Sequence, residues 1–416
     1  MQNLPGFRDF YPADFAARRY IFEHWRRVAR SYGFMEYEGP TLESVDLYRK
    51  KSGGELIGQL FDFTDKGKRE VALRPEMTPT LARMVAAKER DFKKPIKWFS
   101  MGSFYRYEKQ QDGRLREFAQ LNCDLFGDRT AAGEAEMIAL AIDLFRTFGM
   151  TGKDFYVRIN DRRVWEQFLA ERGIAPERSE EFLQIIDKLE REREEVSATK
   201  LATFGIELPE LRAFLTQPAP ILEPLAVELT HRGLQDYVRF DATVVRGLAY
   251  YTGTVFEVFA PAHGRALAGG GRYDDLIKTL SDGSVDLPAL GFAIGDVVLE
   301  KVLRATPHLA ENLEAAIRAD NAPHVYGVIA DEARRRDAVK LFSELRREGV
   351  RVDFPLTAMK VGKQFQLAEQ AGAPFAIVVG TEWPQVKVKT LATREEVAVE
   401  GDLKSVIDVM RRPVLL

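Results

Sequence analysis

The stretch RLREFAQLNCDL (114–125) places Arg114, Arg116, Phe118, Gln120, Asn122 and Asp124 on alternate positions, with Leu115, Ala119, Leu121, Cys123 and Leu125 between them. Successive strand side chains point to opposite faces, so this period of two predicts a strand with one polar face and one core face. Upstream, FYRYE (104–108) sets Arg106 and Glu108 two apart, and Asp112-Gly113 supplies a hairpin turn. The chain is therefore expected to build a β-hairpin here. Its polar face is unusual in content: arginines, an aromatic ring, two amides and an acid. A solvated face laced with salt bridges would account for the charges, but not for a lone exposed phenylalanine flanked by arginines.

At 416 residues the chain is too long for one hydrophobic core, which predicts two or three domains. Hydrophobic residues make up 45% and charged residues 30%, as in a folded protein. No apolar run approaches the roughly 20 residues that span a bilayer, so no membrane role is expected. The start MQNLPGFRDFYPADF lacks the basic-then-apolar layout of a signal peptide. A single cysteine, Cys123, leaves no intrachain disulfide, and a reducing cytoplasm is the expectation. With a formal charge of −3, any nucleic acid must be met by local patches rather than by a global field.

Helical periodicity covers 13–31, where Phe15, Tyr20, Ile21, Trp25 and Val28 share a face. Short strands and turns are expected over 60–126, interrupted by a helix at TPTLARMVAAKER with Thr78 or Thr80 near its cap. A second amphipathic helix is GEAEMIALAIDLFRTFG (133–149). Residues 161–235 are poor in strand signals and read as a helical insertion, with ERSEEFLQIIDKLEREREEV as one charged helical run. Strands return at 237–260 and through ALAGGGRYDDLI and LPALGFAIGDVVLEKVL. From 323 to 416 strands and helices alternate as βαβαβ, a small α/β domain with a partly parallel sheet. The predicted division is therefore 1–322 and 323–416.

The hairpin face suits a nucleoside triphosphate. Arg106 can hold an α-phosphate and spread developing charge. Arg114 can reach the outer phosphates, Phe118 offers a ring for the base, and Glu108 can accept from an exocyclic amine. No GxxxxGK[ST] occurs, so a P-loop is excluded. RYE, a loop and RLREF together resemble motif 2 of class II aminoacyl-tRNA synthetases in the form found in histidyl-tRNA synthetases. The resemblance runs along the chain: PGFRDFYP (5–12), YEGPTLE as motif 1, LRPEMTPTLAR (73–83), VVRGLAYYTGTVFE (244–257), GGGRYDDLI and LGFAIGD through motif 3. It implies α/β and α+β multidomain architecture: an antiparallel-sheet catalytic domain with a helical insertion, and a C-terminal α/β anticodon-binding domain. It also implies a homodimer, ATP accompanied by Mg2+, L-histidine, and tRNA(His) as partner, with no tightly bound cofactor.

A histidine substrate presents an ammonium, a carboxylate and an imidazole with two nitrogens. Glu76, aided by Thr78 and Gln120, is a carboxylate for the ammonium, and Asp124 can accept from an imidazole N–H. Tyr250 and Tyr251 can offer a hydroxyl to the other nitrogen and a wall to the ring, and Tyr273 is a pocket residue. The resemblance assigns the same duties and adds Met77 through its histidine-binding turn. Arg106 and Arg246, expected on opposing strands, would clamp the α-phosphate; the resemblance implies that Arg246 replaces a metal site used elsewhere in class II. A structural salt bridge is the competing role for Arg246.

Two positions depart from the pattern. Val298 stands where motif 3 carries an arginine that stacks on adenine, and Ala249 replaces the aspartate of RGLDYY, which fits a divergent RGLAYY branch. The adenine is then held by Phe118 and Glu108 with another cation, or ATP binding is compromised. A paralogue, the histidine-sensing regulatory subunit of ATP phosphoribosyltransferase, generally lacks the terminal domain and the ATP-binding arginines, whereas this chain keeps both. A zinc-dependent threonyl type is disfavoured by one cysteine and five scattered histidines (24, 231, 263, 308 and 324).

Overall fold

The computed structural model describes residues 2–49, 54–109, 113–190, 192–217, 219–246 and 250–411. The chain forms two compact units, Met1–Asp9 with Arg18–Leu313, and Phe10–Ala17 with Glu314–Leu416. Among the described residues no helix is long and apolar enough to cross a membrane.

The first unit holds β1 (Met35–Glu36), β2 (Leu42–Ser44), β3 (Phe61–Thr64), β4 (Glu70–Leu73), β5 (Ile96–Tyr105), β6 (Glu117–Phe126), β7 (Tyr156–Asp161), β8 (Val238–Phe240), β9 (Thr254–Ala260), β10 (Arg265–Arg272) and β11 (Ala289–Gly295). One eight-stranded sheet has the order β1-β5-β6-β11-β10-β9-β7-β8. Its central strands are antiparallel, while β1 and β8 join the edges in parallel. β2, β4 and β3 make a separate antiparallel sheet.

The expected hairpin is β5–β6, in register from Ile96↔Phe126 to Tyr105↔Glu117. Its core face is sealed, with Ala119, Leu121, Cys123 and Leu125 no more than 2% exposed. The continuous strand starts at Glu117, but pairing runs on beyond it: the Arg106 amide donates to the Arg116 carbonyl at 2.9 Å, and Arg114 forms an isolated bridge. The Arg116 and Glu117 amides both donate to the Gly6 carbonyl (3.0 and 3.1 Å), and Gly113 takes a left-handed φ of +76°. The helix after β4 is Thr78–Lys88, and its N-cap position is Met77, with no side-chain cap.

Between β7 and β8 five α-helices (Arg162–Ala170, Ser179–Lys188, Glu194–Ala202, Leu208–Leu215 and Glu223–His231) form the insertion. The charged run expected as one helix is two. Phe182 and Ile186 on the first segment and Leu201 on the second enter the same small core with Trp165 and Phe168, which one straight helix could not arrange.

The second unit contains β12 (Val325–Ile329), β13 (Val352–Asp353), β14 (Phe375–Val379), β15 (Gln385–Thr390) and β16 (Glu396–Glu400) in the order β13-β12-β14-β15-β16. The first three are parallel, and β15 and β16 extend the sheet antiparallel. Helices Arg335–Arg347 and Leu403–Met410 bury Leu341, Phe342, Leu345 and Val406 against Val325 and Ile329. The βαβαβ reading holds; β15, β16 and the last helix enlarge it.

Candidate active site

A cavity of about 390 Å³ opens over the sheet. Glu76, Thr78, Arg106, Glu108, Arg114, Gln120, Asp124, Arg246, Tyr250, Tyr251 and Tyr273 all line it, although they are spread over nearly 200 positions of sequence. Two expected residues do not. Met77, at the N-cap position of the helix, is fully buried beneath the turn, its sulfur 3.7 Å from an Arg74 nitrogen. Phe118 is half-buried outside the lining, with the Arg106 guanidinium over its ring at 5.4 Å.

Acidic and aromatic groups make up one set of lining residues. Asp124, 2% exposed, accepts from the Tyr273 hydroxyl, and its Oδ2 has no partner. Burial pushes the Asp124 carboxyl up to about 7, against the opposing hydrogen bond from Tyr273. The Asn122 amide nitrogen beside it also lacks a partner. Tyr250 donates to Glu76 Oε2 at 3.0 Å, and its ring meets Tyr251 at 5.1 Å and Tyr273 at 5.8 Å. Burial raises all three phenols, Tyr251 to about 12, so they stay neutral donors.

Arginines make up a second set. Arg106 donates to the Pro75 carbonyl at 3.0 Å, tying the hairpin to the turn that carries Glu76, and Arg114 pairs with Glu108 at 3.2 Å. Neither Arg106 nor Arg246 lies within a strand, contrary to expectation: β5 ends at Tyr105 and β9 starts at Thr254. Arg246 instead sits in a segment pinned by its neighbours. Asn160 donates to the carbonyls of Ala242 and Val244 (3.1 and 3.0 Å), Val244 enters the sheet core and Val245 the insertion core. Arg246 then turns back with φ +55°, pairs with Glu257 at 2.9 Å, and keeps Nε without a partner. The RGLAYY residues 247–249, with Ala249, fall outside the described residues.

Two glycines make room for these groups. A Cβ on Gly291 would lie 2.1 Å from Asp124 Oδ1, and one on Gly269 would lie 2.3 to 2.5 Å from the Arg246 guanidinium.

Residues 6–298 match the family model described as Histidyl-tRNA synthetase, and residues 324–412 match that described as Anticodon binding domain. The chain belongs to the histidyl-tRNA synthetase family. A histidine--tRNA ligase of Opitutus terrae is 43% identical over 96% of this chain and 95% of that protein. One of Leptospira biflexa is 36% identical over 95% and 93%. The crystal structure of histidyl-tRNA synthetase from Nostoc sp. PCC 7120 matches with a TM-score of 0.78 over 99% of both chains at 24% identity, which supports the fold alone.

In this synthetase-family chain the cavity also holds groups the sequence reading did not single out. Arg158 on β7 donates to Asp241 (2.7 Å), Glu190 (2.7 Å) and Thr243 (2.6 Å), and faces Glu257 across the β7–β9 ladder. Asp187 and Glu190 arrive from the insertion. Alternation in YVRIND marks Arg158 as sharing a face with Asn160, whereas nothing in the sequence places Asp187 and Glu190 at the sheet.

Proposed function

We propose that this chain is a histidine--tRNA ligase, which activates L-histidine with ATP and passes the histidyl group to tRNA(His). The observation that carries the reading is one cavity lined by the Glu76 and Asp124 carboxylates, by Tyr250, Tyr251 and Tyr273, and by Arg106, Arg114 and Arg246. Glu76 would hold the α-ammonium, with Thr78 and Gln120 beside it. Asp124 Oδ2, the unpartnered acceptor, would receive an imidazole N–H. Tyr250, Tyr251 and Tyr273 would bound the ring.

The histidine carboxylate, already ionised, attacks the α-phosphorus, an oxygen–phosphorus bond forms, and pyrophosphate leaves with the electron pair. No general base is needed, so the chain's contribution is positioning and charge stabilisation by Arg106 and Arg246. A ribose hydroxyl of tRNA then attacks the carbonyl carbon and expels AMP. Arg114 would bind the outer phosphates, and Glu108 the adenine amine. Mg2+ would arrive on the triphosphate; Asp187, Glu190 and Glu257 are further carboxylates of the same cavity that would be available to it.

The match of residues 324–412 to an anticodon-binding domain supports tRNA as partner. Motif 1 supports a homodimer, and the cytoplasm is the proposed location. A histidine-binding regulatory protein is less supported, because the three arginines and the terminal domain are all present. Histidine-dependent exchange of labelled pyrophosphate into ATP, run against the other amino acids, tests the reading. Exchange with histidine alone would bear it out; histidine binding without exchange would favour the regulatory protein.

Two further results are expected. Gly269→Ala should leave fold and histidine affinity intact while slowing exchange by ~10- to 100-fold, because the new Cβ displaces the Arg246 guanidinium by ångströms. Titration calorimetry with histidine, beside the exchange rate, checks it. The motif 2 loop reads EKQQDGR, with Asp112 outside the described residues. The resemblance implies that family members read an extra 5′ guanosine of tRNA(His) with this loop, where a basic residue is common; an acid there disfavours that contact, so deleting the nucleotide should slow charging by less than about tenfold. Abolished charging would contradict this.

A further inference from the structure

We propose that Arg265, the first residue of β10, covers the face of the adenine ring that the Val298 side chain cannot. This inference rests on the ATP-binding reading above. Arg265 and Val298 are 33 positions apart, yet the sheet brings them together: β10 pairs with β11 through Ala268↔Ile294, and helix Asp296–Ala305 follows β11 directly. Both side chains reach Gly113, the closing residue of the hairpin turn. A Cβ built there would lie 3.3 Å from Arg265 Nη1 and 3.3 Å from Val298 Cγ2. The turn carries Arg106 and Glu108 on one arm and Arg114 and Phe118 on the other. The same helix is anchored beside the ring, since Asp296 Oδ1 accepts from the Ala119 amide at 2.9 Å. Arg265 therefore ends next to the nucleotide half of the site, on the side of Val298, just beyond the cavity lining.

Its chemistry points the same way. Arg106 and Arg114 share Glu108, Arg246 has Glu257, and Arg158 has Asp241 and Glu190. Arg265 is half-buried, and among the described residues it has no acidic partner. A partly desolvated guanidinium without a carboxylate gains from a ligand that offers a flat, electron-rich face. Guanidinium is planar and weakly hydrated, so it stacks where an ammonium would not. Valine at 298 leaves the neighbouring space to be filled from β10. A purine would then lie between Phe118 and Arg265, with the cation supplied by a strand instead of a helix.

The test compares Arg265→Ala, Arg265→Lys and the double variant Arg265→Ala/Val298→Arg with wild type in histidine-dependent pyrophosphate exchange, using adenosine as competitor. Arg265→Ala should raise the KM for ATP and the inhibition constant of adenosine alike, by about 5- to 30-fold, with the KM for histidine unchanged. Arg265→Lys should recover little of this, and the double variant most of it, which a purely structural arginine would not permit. Weaker ATP with unaltered adenosine would make Arg265 a phosphate contact, and a raised KM for tRNA alone would make it a nucleic-acid contact; either overturns the inference. If wild type exchanges and Arg265→Ala leaves ATP unchanged, only this inference falls. If wild type shows no exchange, the ATP-binding reading falls and takes this one with it.

Discussion

Arg246→Ala should bind histidine nearly as well as wild type while adenylate formation falls by about 10²- to 10⁴-fold, the range for removing one preorganised cation from a phosphoryl centre. The two effects separate because of where Arg246 stands. Its Nη1 is held by Glu257 at 2.9 Å, its Nε is free of any partner, and Glu76 and Asp124, the carboxylates proposed for histidine, belong to other elements. Charge at the α-phosphorus grows only as the new oxygen–phosphorus bond forms, so the cation contributes in the transition state and little to ground-state binding. A guanidinium positioned in advance needs no reorganisation at that moment. Calorimetric histidine binding and pyrophosphate exchange on the same preparation decide the matter. Equal loss of both would leave Arg246 a structural salt bridge.

The second large effect concerns Asp124. Its ionisation near pH 7 should make histidine affinity rise as pH passes upward through about 7, because only the carboxylate accepts from an imidazole N–H at Oδ2. Asp124→Asn keeps the size and cannot ionise, so the step should vanish and affinity at pH 8 should fall by about 10- to 100-fold, as for a lost charge-assisted hydrogen bond. Glu76→Ala should weaken histidine comparably but keep the pH step. The same group affects folding in the opposite sense. Its folded pKa is raised above the ordinary carboxylate value, so stability is fullest at low pH and declines as pH climbs from about 4 to 7. Asp124→Asn should flatten that decline in thermal unfolding. A histidine affinity independent of pH between 6 and 8 in the unaltered protein would contradict the assignment.

How much of this was legible before any coordinates depends on the range of the interaction involved. The β6 face announced itself because a strand sorts residues by parity, and Gln120, Asn122 and Asp124 followed from that alone. The turn that carries Glu76 and the tyrosines of 250–251 were recognisable by resemblance. The same parity carries the pairing back to Arg116 and Arg114, but that the remote Gly6 carbonyl takes the Arg116 and Glu117 amides is something no local pattern encodes. Met77 packs inward against the buried Arg74 guanidinium, a tertiary contact. Glu190 and Asp187 reach the cavity only through the fold of the insertion, whose packing around Trp165 is tertiary. The meeting of Arg265 and Val298 requires strand order, which periodicity does not give.

Cys123 carries a practical consequence. It is the only cysteine in the chain, it lies on the sealed face of β6 outside the cavity lining, and burial pushes its thiol far above the usual range. Thiolates, not thiols, react with maleimides and disulfides, so the native chain should be chemically silent toward them. Any cysteine introduced on the surface would then be the sole reactive handle. A fluorophore attached at a turn such as 109 could report the approach of ATP to the hairpin without a background label and without first stripping native thiols from the protein.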